Sequence, residues 1–236
     1  MSKTVIDNFP PDQLTLTDVL SRRTAYGLIW KGRYRHQPCV VKMIMLTTGV
    51  HYDKDLDQYQ TAEGHQLSES ETEAIFGHND HKPFYHTEFR HRRAMTPDAF
   101  FHELDNLVEL SDKGIAPTVY GCGLNRTHRI HYAFIVMERV DTCLKDLSLH
   151  RTLSTTETQL IFGAIEQLHY VHGLLHGDLQ LGNIGVYLDT DHQIKRVCFF
   201  DCQKISHRDQ YRPTEFERLS ESETGSIKRH LQVRKK

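Results

Sequence analysis

The chain has 236 residues, of which 38% are hydrophobic and 25% are charged, and its formal net charge is -2. This length and apolar content allow a buried core in one large domain or two small lobes, and they exclude a disordered chain. A net charge so close to zero argues against a generally basic nucleic-acid-binding protein.

The sequence has no feature of a membrane or secreted protein. No apolar run approaches the length that crosses a bilayer, and the N-terminal MSKTVIDNFPPDQ lacks the pattern of a secretory signal. The five cysteines include no CxxC pair, which favours reduced thiols over a disulfide framework. We therefore expect a cytoplasmic protein with no membrane partner.

Histidine is unusually frequent, with 17 residues that are densest between His51 and His102. Dispersed histidines without short ligand spacing favour surface polarity over a metal site. The alternative is a zinc site, for which the four candidates are His78, His81, His86 and His91.

The first half of the chain is predicted to be rich in strands. Two apolar runs, 26–33 and 39–46, flank the polar turn RHQP and predict a hairpin that ends in CVVKMIML. Residues 47–95 lose apolar periodicity and are interpreted as a long insertion, with some helix around Thr72 to Phe76. A helix then begins at Thr96-Pro97, follows a one-face apolar spacing and ends at Gly114.

After strands predicted at 118–121 and 130–140, the second half is predicted to be mainly helical. A long helix begins at Ser154, whose pairing with Glu157 makes a capping box, and ends at Gly173. Strands at 184–188 and 194–200 flank the turn DTDHQ. The predicted fold class is therefore α+β, in two lobes that join near residue 140.

The hexapeptide LSESET occurs twice, at 67–72 and at 219–224. Serine followed three residues later by glutamate suits an N-cap, so both copies are predicted to start helices. The alternative is that both are acidic phosphorylation sites. No longer repeat surrounds either copy, so the sequence does not predict a repeat architecture.

Polar residues that could take part in catalysis or metal binding cluster in LLHGDLQLGNIGVYL, residues 174–188, and in CFFDCQ shortly after. Asn183 and Asp201 flank a predicted hairpin, so their side chains are expected to converge on one point. Two oxygen ligands of this kind suit Mg²⁺, which usually takes one or two protein oxygens together with substrate phosphates. Asp178 would then lie within reach of a hydroxyl aligned for attack on a phosphate.

The pattern HGDLQLGN, then a hairpin, then Asp resembles the catalytic loop and metal-binding segment of the protein kinase-like superfamily. The resemblance implies ATP and Mg²⁺ as cofactors, with Asp178 as the residue that accepts the proton of the attacking hydroxyl, and with Asn183 and Asp201 as metal ligands. It also implies that Lys42 in CVVKM binds the ATP phosphates and that Glu103, on the following helix, pairs with Lys42.

The same resemblance extends to AFIVMERV, which is similar to the fifth strand and hinge of these kinases. It places Met137 at the gatekeeper position and lets the backbone from Glu138 to Val140 meet an adenine. The residues expected to bind the nucleotide are Gly27, Ile29, Val40, Lys42, Met137, Glu138 and Val140. The implied organisation is an N-lobe of residues 1–138 with the insertion 47–95, and a truncated helical C-lobe of residues 139–236 with a basic tail.

Several positions depart from the kinase pattern. Arg22 and Thr24 stand where two glycines of the glycine-rich loop are expected. Gly177 replaces the usual arginine before the catalytic aspartate, and Gln180 replaces a lysine after it. The Asp-Phe-Gly motif is Asp-Cys-Gln at 201–203, and no APE-like segment follows. The chain thus resembles small viral, bacterial-effector or KEOPS-type kinases that lack a phosphorylation-gated switch.

The expected function is a minimal Ser/Thr protein kinase with a protein substrate, with or without a regulatory or host protein partner. One alternative is a small-molecule kinase of the HGD type, and another is a pseudokinase scaffold that binds a protein partner. Nucleic-acid binding is expected only through the basic tail IKRHLQVRKK. The expected location is the cytoplasm, or the host cytoplasm or nucleus if the chain is viral or an effector.

Overall fold

The computed structural model describes residues 13–21, 26–76, 92–126 and 129–233. They form a mixed α+β structure with antiparallel sheets, as the sequence predicts. The chain divides into two compact units, one of residues 1–101 and 119–139 and the other of residues 102–118 and 140–236. The predicted boundary after residue 138 is close to residue 139, after which the chain enters the second unit for the second time. Residues 102–118, predicted in the N-lobe, also group with the second unit.

The first unit contains a five-stranded antiparallel sheet in the order β1-β2-β3-β7-β6, whose strands are β1 Leu14–Ser21, β2 Gly27–Tyr34, β3 Gln37–Met45, β6 Val119–Asn125 and β7 Tyr132–Glu138. The central strand β3 is buried on both faces, which explains its nearly unbroken apolar sequence. The predicted hairpin of β2 and β3 is confirmed. The edge strand β1 was not predicted; half of its sequence LTLTDVLS is polar, and most of its residues are exposed.

The described part of the predicted insertion contributes to the core of the first unit. It forms the hairpin of β4 His51–Asp53 and β5 Gln58–Gln60, followed by helix α1 Glu69–Phe76. The Tyr59 and Phe76 rings lie 4.3 Å apart between centroids, within a buried cluster that includes Trp30 and Met43. The helix near Thr72 is confirmed, while residues 77–91, with the four candidate zinc ligands, lie outside the described residues.

Helix α2, Pro97–Asp112, begins and ends where the sequence predicts. The Thr96 side chain accepts a hydrogen bond from the Ala99 N–H at 3.3 Å, which caps the first turn. After the last turn, Gly114 adopts a φ of +74°, a conformation that favours glycine.

Within its described residues, the second unit contains a three-stranded antiparallel sheet, a short strand pair, most of α2 and three further α-helices. The sheet has the order β11-β10-β8, and β9 pairs with β12. The strands are β8 Thr142–Cys143, β9 Leu174–Leu175, β10 Ile184–Leu188, β11 Ile194–Phe199 and β12 Ser206–His207. The helices are α3 Leu144–His150, α4 Thr155–Glu166, which continues as a π-helical turn Gln167–Val171, and α5 Pro213–Val233.

The predicted capping box of Ser154 and Glu157 is confirmed at the start of α4. Glu157 also accepts two hydrogen bonds from Arg151, at 2.8 and 2.5 Å, and one from the Ile194 N–H at 3.0 Å. These contacts lower the pKa of Glu157 to about 2, despite the opposing effect of burial. One carboxylate therefore joins the helix start to the β10–β11 hairpin.

The two LSESET copies differ in structure. In the first copy the Ser68 side chain accepts from the Glu71 N–H at 3.3 Å and the Glu71 carboxylate accepts from the Ser68 N–H at 2.9 Å, so it caps α1 as predicted. The prediction for the second copy is wrong, because residues 219–224 lie inside α5, which begins at Pro213. In the described residues no helix combines the length and apolarity that a bilayer span requires.

Candidate functional site

The loop that carries Asp178 is closed by hydrogen bonds from one buried residue, Asn183. The side-chain amide of Asn183 donates to the Asp178 carbonyl oxygen at 2.9 Å, and the backbone N–H of Asn183 donates to the Gln180 carbonyl oxygen at 2.9 Å. Leu179 and Leu181 are buried and fix the loop to the core, whereas the Asp178 side chain is only half-buried. The loop therefore holds a carboxylate within reach of solvent on a rigid backbone.

Asn183 and Asp201 lie at the same end of the β10–β11 hairpin. Ile184 pairs with Phe199, and the Phe200 N–H donates to the Asn183 carbonyl oxygen at 3.1 Å. The Asn183 amide nitrogen is engaged in the loop, so its Oδ1 is the atom that would ligate a cation. With the Asp201 carboxylate it would give two protein oxygens, a number that Mg²⁺ commonly takes alongside phosphates.

Asp201 has a left-handed backbone, with φ 64° and ψ 56°. This conformation costs a residue other than glycine on the order of 1 kcal/mol, and such residues are concentrated at functional sites. Among the described residues, Asp201 is one of five other than glycine with a positive φ, and it is the one that the sequence predicts as a metal ligand.

His176 joins the loop to the residue before Asp201. Its imidazole is fully buried, and Nε2 lies 3.1 Å from the Phe200 carbonyl oxygen. Burial lowers the pKa of His176, although the Glu223 and Asp201 carboxylates oppose that shift. A neutral ring that donates from Nε2 fits this geometry.

Glu223, in the middle of α5, binds the backbone at the start of the same loop. Its carboxylate accepts from the Gly177 N–H at 2.7 Å and the His176 N–H at 3.2 Å, and it lies 2.8 Å from Nε2 of His169. Burial raises the pKa of Glu223, but these hydrogen bonds outweigh burial and hold the pKa below its ordinary value. Sequence reasoning missed Glu223, because no local pattern distinguishes a carboxylate that acts 46 residues away from the loop.

Gly177 has a structural reason to be glycine. Its φ is 75°, and a Cβ there would overlap the Lys204 carbonyl oxygen and lie 2.6 Å from the Lys204 Cβ. A side chain at this position would collide with the segment that follows Asp201. The arginine expected from the kinase pattern therefore does not fit unless residues 202–204 move.

Glu103 lies on α2 with 2% of its surface exposed. Its Oε2 accepts a hydrogen bond from Nε2 of Gln203 at 2.9 Å. One turn along the helix, Nδ2 of Asn106 donates to the Cys202 carbonyl oxygen at 2.8 Å. The helix that carries the predicted Glu103 thus binds directly to the segment after Asp201, and sequence reasoning missed both partners.

In the first unit, three of the predicted nucleotide-binding side chains, Ile29, Val40 and Met137, share one face of the sheet with Lys42, whereas Glu138 pairs with Cys39 of the other face. Side chains alternate along a strand, and the core cluster takes Cys39, Val41, Met43 and Met45 from β3. Lys42 and Val40 therefore face the opposite side. The register pairs Ile29 with Lys42, Val40 with Met137 and Gly27 with Ile44, so all the pairs belong to that second face.

Gly27 is explained by strand packing. A Cβ at Gly27 would overlap the Met43 carbonyl oxygen of the neighbouring strand. The glycine therefore permits the close approach of β2 to β3. A role in phosphate binding is not needed to explain this glycine.

The predicted site residues fall into two sets, one in each unit. The first unit holds Gly27, Ile29, Val40, Lys42, Met137 and Glu138, and the second holds Glu103, Val140, Asp178, Asn183 and Asp201. Lys42 and Glu103 belong to different units, and their pairing stays a prediction. Arg22 and Thr24, expected in the glycine-rich loop, lie outside the described residues.

Within the described ranges, no group of three or more His, Cys, Asp and Glu is arranged to hold a metal ion. The Asn183 and Asp201 pair is smaller than such a group and would need further oxygens from a phosphate ligand. No family model and no curated protein matches the chain.

Proposed function

We propose that the chain is an ATP- and Mg²⁺-dependent phosphotransferase with a two-lobed, kinase-like architecture and a truncated helical C-lobe. The observation that carries the proposal is the loop from His176 to Asn183, held by hydrogen bonds at the hairpin end that also carries Asp201. The loop carries the Asp178 carboxylate within reach of solvent, and Asn183 and Asp201 lie at the adjacent end of the hairpin. These residue types are the ones that phosphoryl transfer uses, which supports the proposal.

In this proposal Asp178 orients the acceptor hydroxyl and takes its proton as the new bond to the γ-phosphorus of ATP forms and the bond to the departing ADP oxygen breaks. Asn183 Oδ1 and the Asp201 carboxylate hold Mg²⁺, which when bound neutralises the charge that develops on the phosphates. Lys42, with Ile29, Val40 and Met137 on the same sheet face, binds the nucleotide. Glu138 and Val140 contribute backbone groups at the end of β7.

We favour a protein Ser or Thr as the acceptor over a small molecule. In the described part of the chain, α5 is the helix that follows Asp201, and its buried side chains, Phe216, Ser220 and Ile227, pack into the second unit. The other described side chains of α5 are mostly exposed, so this helix presents an open surface, which suits a protein acceptor, rather than an enclosed pocket for a small one. None of the five cysteines, all of which lie within the described residues, forms a disulfide bond there.

The test is transfer of radiolabelled phosphate from ATP to a protein extract, with wild-type protein, Asp178→Asn and the exposed control Asp209→Asn. We expect incorporation that requires Mg²⁺, falls at least 100-fold in Asp178→Asn and is unchanged in Asp209→Asn. Equal incorporation by all three proteins would refute the role of Asp178.

A nucleotide-binding measurement separates the kinase proposal from the pseudokinase alternative. ATP with Mg²⁺ at 100 times its dissociation constant raises stability by about 2.7 kcal/mol if it binds the folded state. A rise in melting temperature without phosphate transfer would indicate a scaffold. No rise at millimolar nucleotide would argue against both nucleotide-dependent functions.

A further inference from the structure

Helix α2 and the segment after Asp201 are joined by two adjacent hydrogen bonds. Glu103 and Asn106 lie three residues apart and therefore share one face of the helix. Their partners are also adjacent in sequence, since Gln203 Nε2 donates to Glu103 and the Cys202 carbonyl oxygen accepts from Asn106. One helix face thus binds two successive residues of the segment.

The groups at this contact are buried, so losing a partner is costly. Glu103 is 2% exposed, Asn106 is 7% exposed and Cys202 is fully buried. A buried carboxylate needs a donor, and a hydrogen bond to a charged group is roughly twice as strong as one between neutral groups. Gln203 supplies that donor from the position where Asp-Phe-Gly would have a glycine.

The opposite side of the segment is also held. The Lys204 backbone packs against Gly177 so closely that no side chain fits there. Two residues further on, Ser206 pairs with Leu175 in the β9–β12 pair. Residues 202–206 are therefore bound to helix α2 through Cys202 and Gln203 and to the Asp178 loop through Lys204.

We propose that Gln203 is a positioning residue that fixes the Glu103 carboxylate and, with Asn106, locks helix α2 to the metal-binding segment in the absence of any ligand. The consequence for catalysis rests on the proposed function. These two hydrogen bonds, which we call the lock, prevent the in/out movement that a glycine at this position would permit. They also keep Asp201 in its left-handed backbone conformation.

The first experiment measures amide hydrogen exchange without nucleotide, so it does not depend on activity. The variant Gln203→Glu puts a carboxylate against Glu103, and Gln159→Glu is the control at an exposed glutamine of α4. We expect protection of residues 202–206 to fall about 10-fold in Gln203→Glu and to stay unchanged in the control. Unchanged protection in Gln203→Glu would overturn the proposal.

The double variant Glu103→Gln with Gln203→Glu reverses donor and acceptor across the same contact. We expect it to restore protection to within about 3-fold of wild type, because the hydrogen bond can form again. If the double variant is no better protected than Gln203→Glu, the pair is not what holds the segment.

Steady-state kinetics test the catalytic consequence in the variants of Gln203 alone, because Glu103 also has the predicted pairing with Lys42. In Gln203→Gly we expect kcat to fall about 10-fold with little change in the KM for the acceptor. A wild-type protein that neither binds ATP nor transfers phosphate would refute the proposed function, while the exchange data would still decide on the lock. An active wild type with unchanged kcat in Gln203→Gly would overturn the positioning role.

Discussion

The carboxylate of Glu223 holds three hydrogen-bond donors of the second unit, so Glu223→Gln is expected to destabilise the protein strongly. The donors are the His176 and Gly177 N–H groups and the His169 side chain, at 2.7 to 3.2 Å. Glutamine keeps one acceptor oxygen but turns an NH₂ group toward a donor. It therefore leaves at least one buried donor unsatisfied and removes the charge from the others.

The expected magnitude follows from these contacts. Each lost charge-assisted hydrogen bond or unsatisfied donor costs about 1–3 kcal/mol, and the three are not additive, so we expect a loss of about 2–4 kcal/mol. That is a large fraction of the roughly 5–15 kcal/mol by which a typical domain is stable. Equilibrium urea unfolding at pH 7 measures this difference, with the slope of the transition unchanged.

Glu221→Gln is the matched control, since Glu221 is an exposed glutamate on the same helix. We expect the control to stay within about 0.5 kcal/mol of wild type. A Glu223→Gln protein as stable as the control would refute the anchoring role of Glu223.

The pH dependence of the stability difference between wild type and Glu223→Gln provides a second check. The folded-state pKa of Glu223 is lowered from an ordinary value of 4.5, so its contribution to stability is fully present above that pH. The contribution is lost as the pH falls through the folded pKa, because the protonated carboxyl no longer stabilises the donors. The gap between wild type and Glu223→Gln should therefore be constant from pH 7 to about pH 5 and narrow below that range.

Three further substitutions test single contacts. Gly177→Ala should cost about 3 kcal/mol in thermal unfolding, because its Cβ collides with the neighbouring backbone and its φ is positive; a change below about 0.5 kcal/mol would contradict the packing. Gly27→Ala should lower stability by about 2–3 kcal/mol and leave ATP affinity of the folded protein unchanged, as calorimetry would measure. Glu157→Gln should lower the free energy of unfolding by about 2–3 kcal/mol at pH 7. Because the folded-state pKa of Glu157 is lowered, its contribution to stability is fully present above pH 4.5. The stability difference between wild type and the variant should therefore shrink as the pH falls from 4.5 toward 2, which unfolding measured over that pH range would show.

Local patterns predicted the elements whose signals are contained within a few turns. The capping box at Ser154, the proline start of α2 and the apolar run of β3 each specify a structure through neighbouring residues. The start of α1 at Ser68 follows the same rule. Strand β1 has no such signal, because it is an exposed edge strand that gains its order from pairing with β2.

The identical hexapeptides show where local reasoning fails. LSESET caps a helix at Ser68 but lies inside a longer helix at 219–224. The difference comes from residues outside the hexapeptide. Pro213 begins α5 upstream, and the buried side chains of Phe216, before the hexapeptide, and Ile227, after it, pack the helix against the second unit. Tertiary packing thus overrides a capping signal of about 1 kcal/mol.

The sequence points to the polar residues of the candidate site, whose roles stay predictions, but not to the residues that hold the loop and the following segment in place. Asp178, Asn183 and Asp201 follow recognisable intervals within a short stretch of chain. Glu223 and Gln203 act on residues 46 and 100 positions away, which a single sequence does not reveal. The supports therefore had to be found from contacts.

The two main departures from the kinase pattern have one physical explanation, since both involve residues 202–204. Gly177 lacks a side chain because the Lys204 backbone occupies that space, and Gln203 has one because the buried Glu103 needs a donor. An arginine at 177 would displace the segment, and a glycine at 203 would remove its hydrogen bond to Glu103 and leave the bond from Asn106 to the Cys202 carbonyl oxygen. Gly177 and Gln203 therefore act in the same direction, because each favours one position of the segment after Asp201.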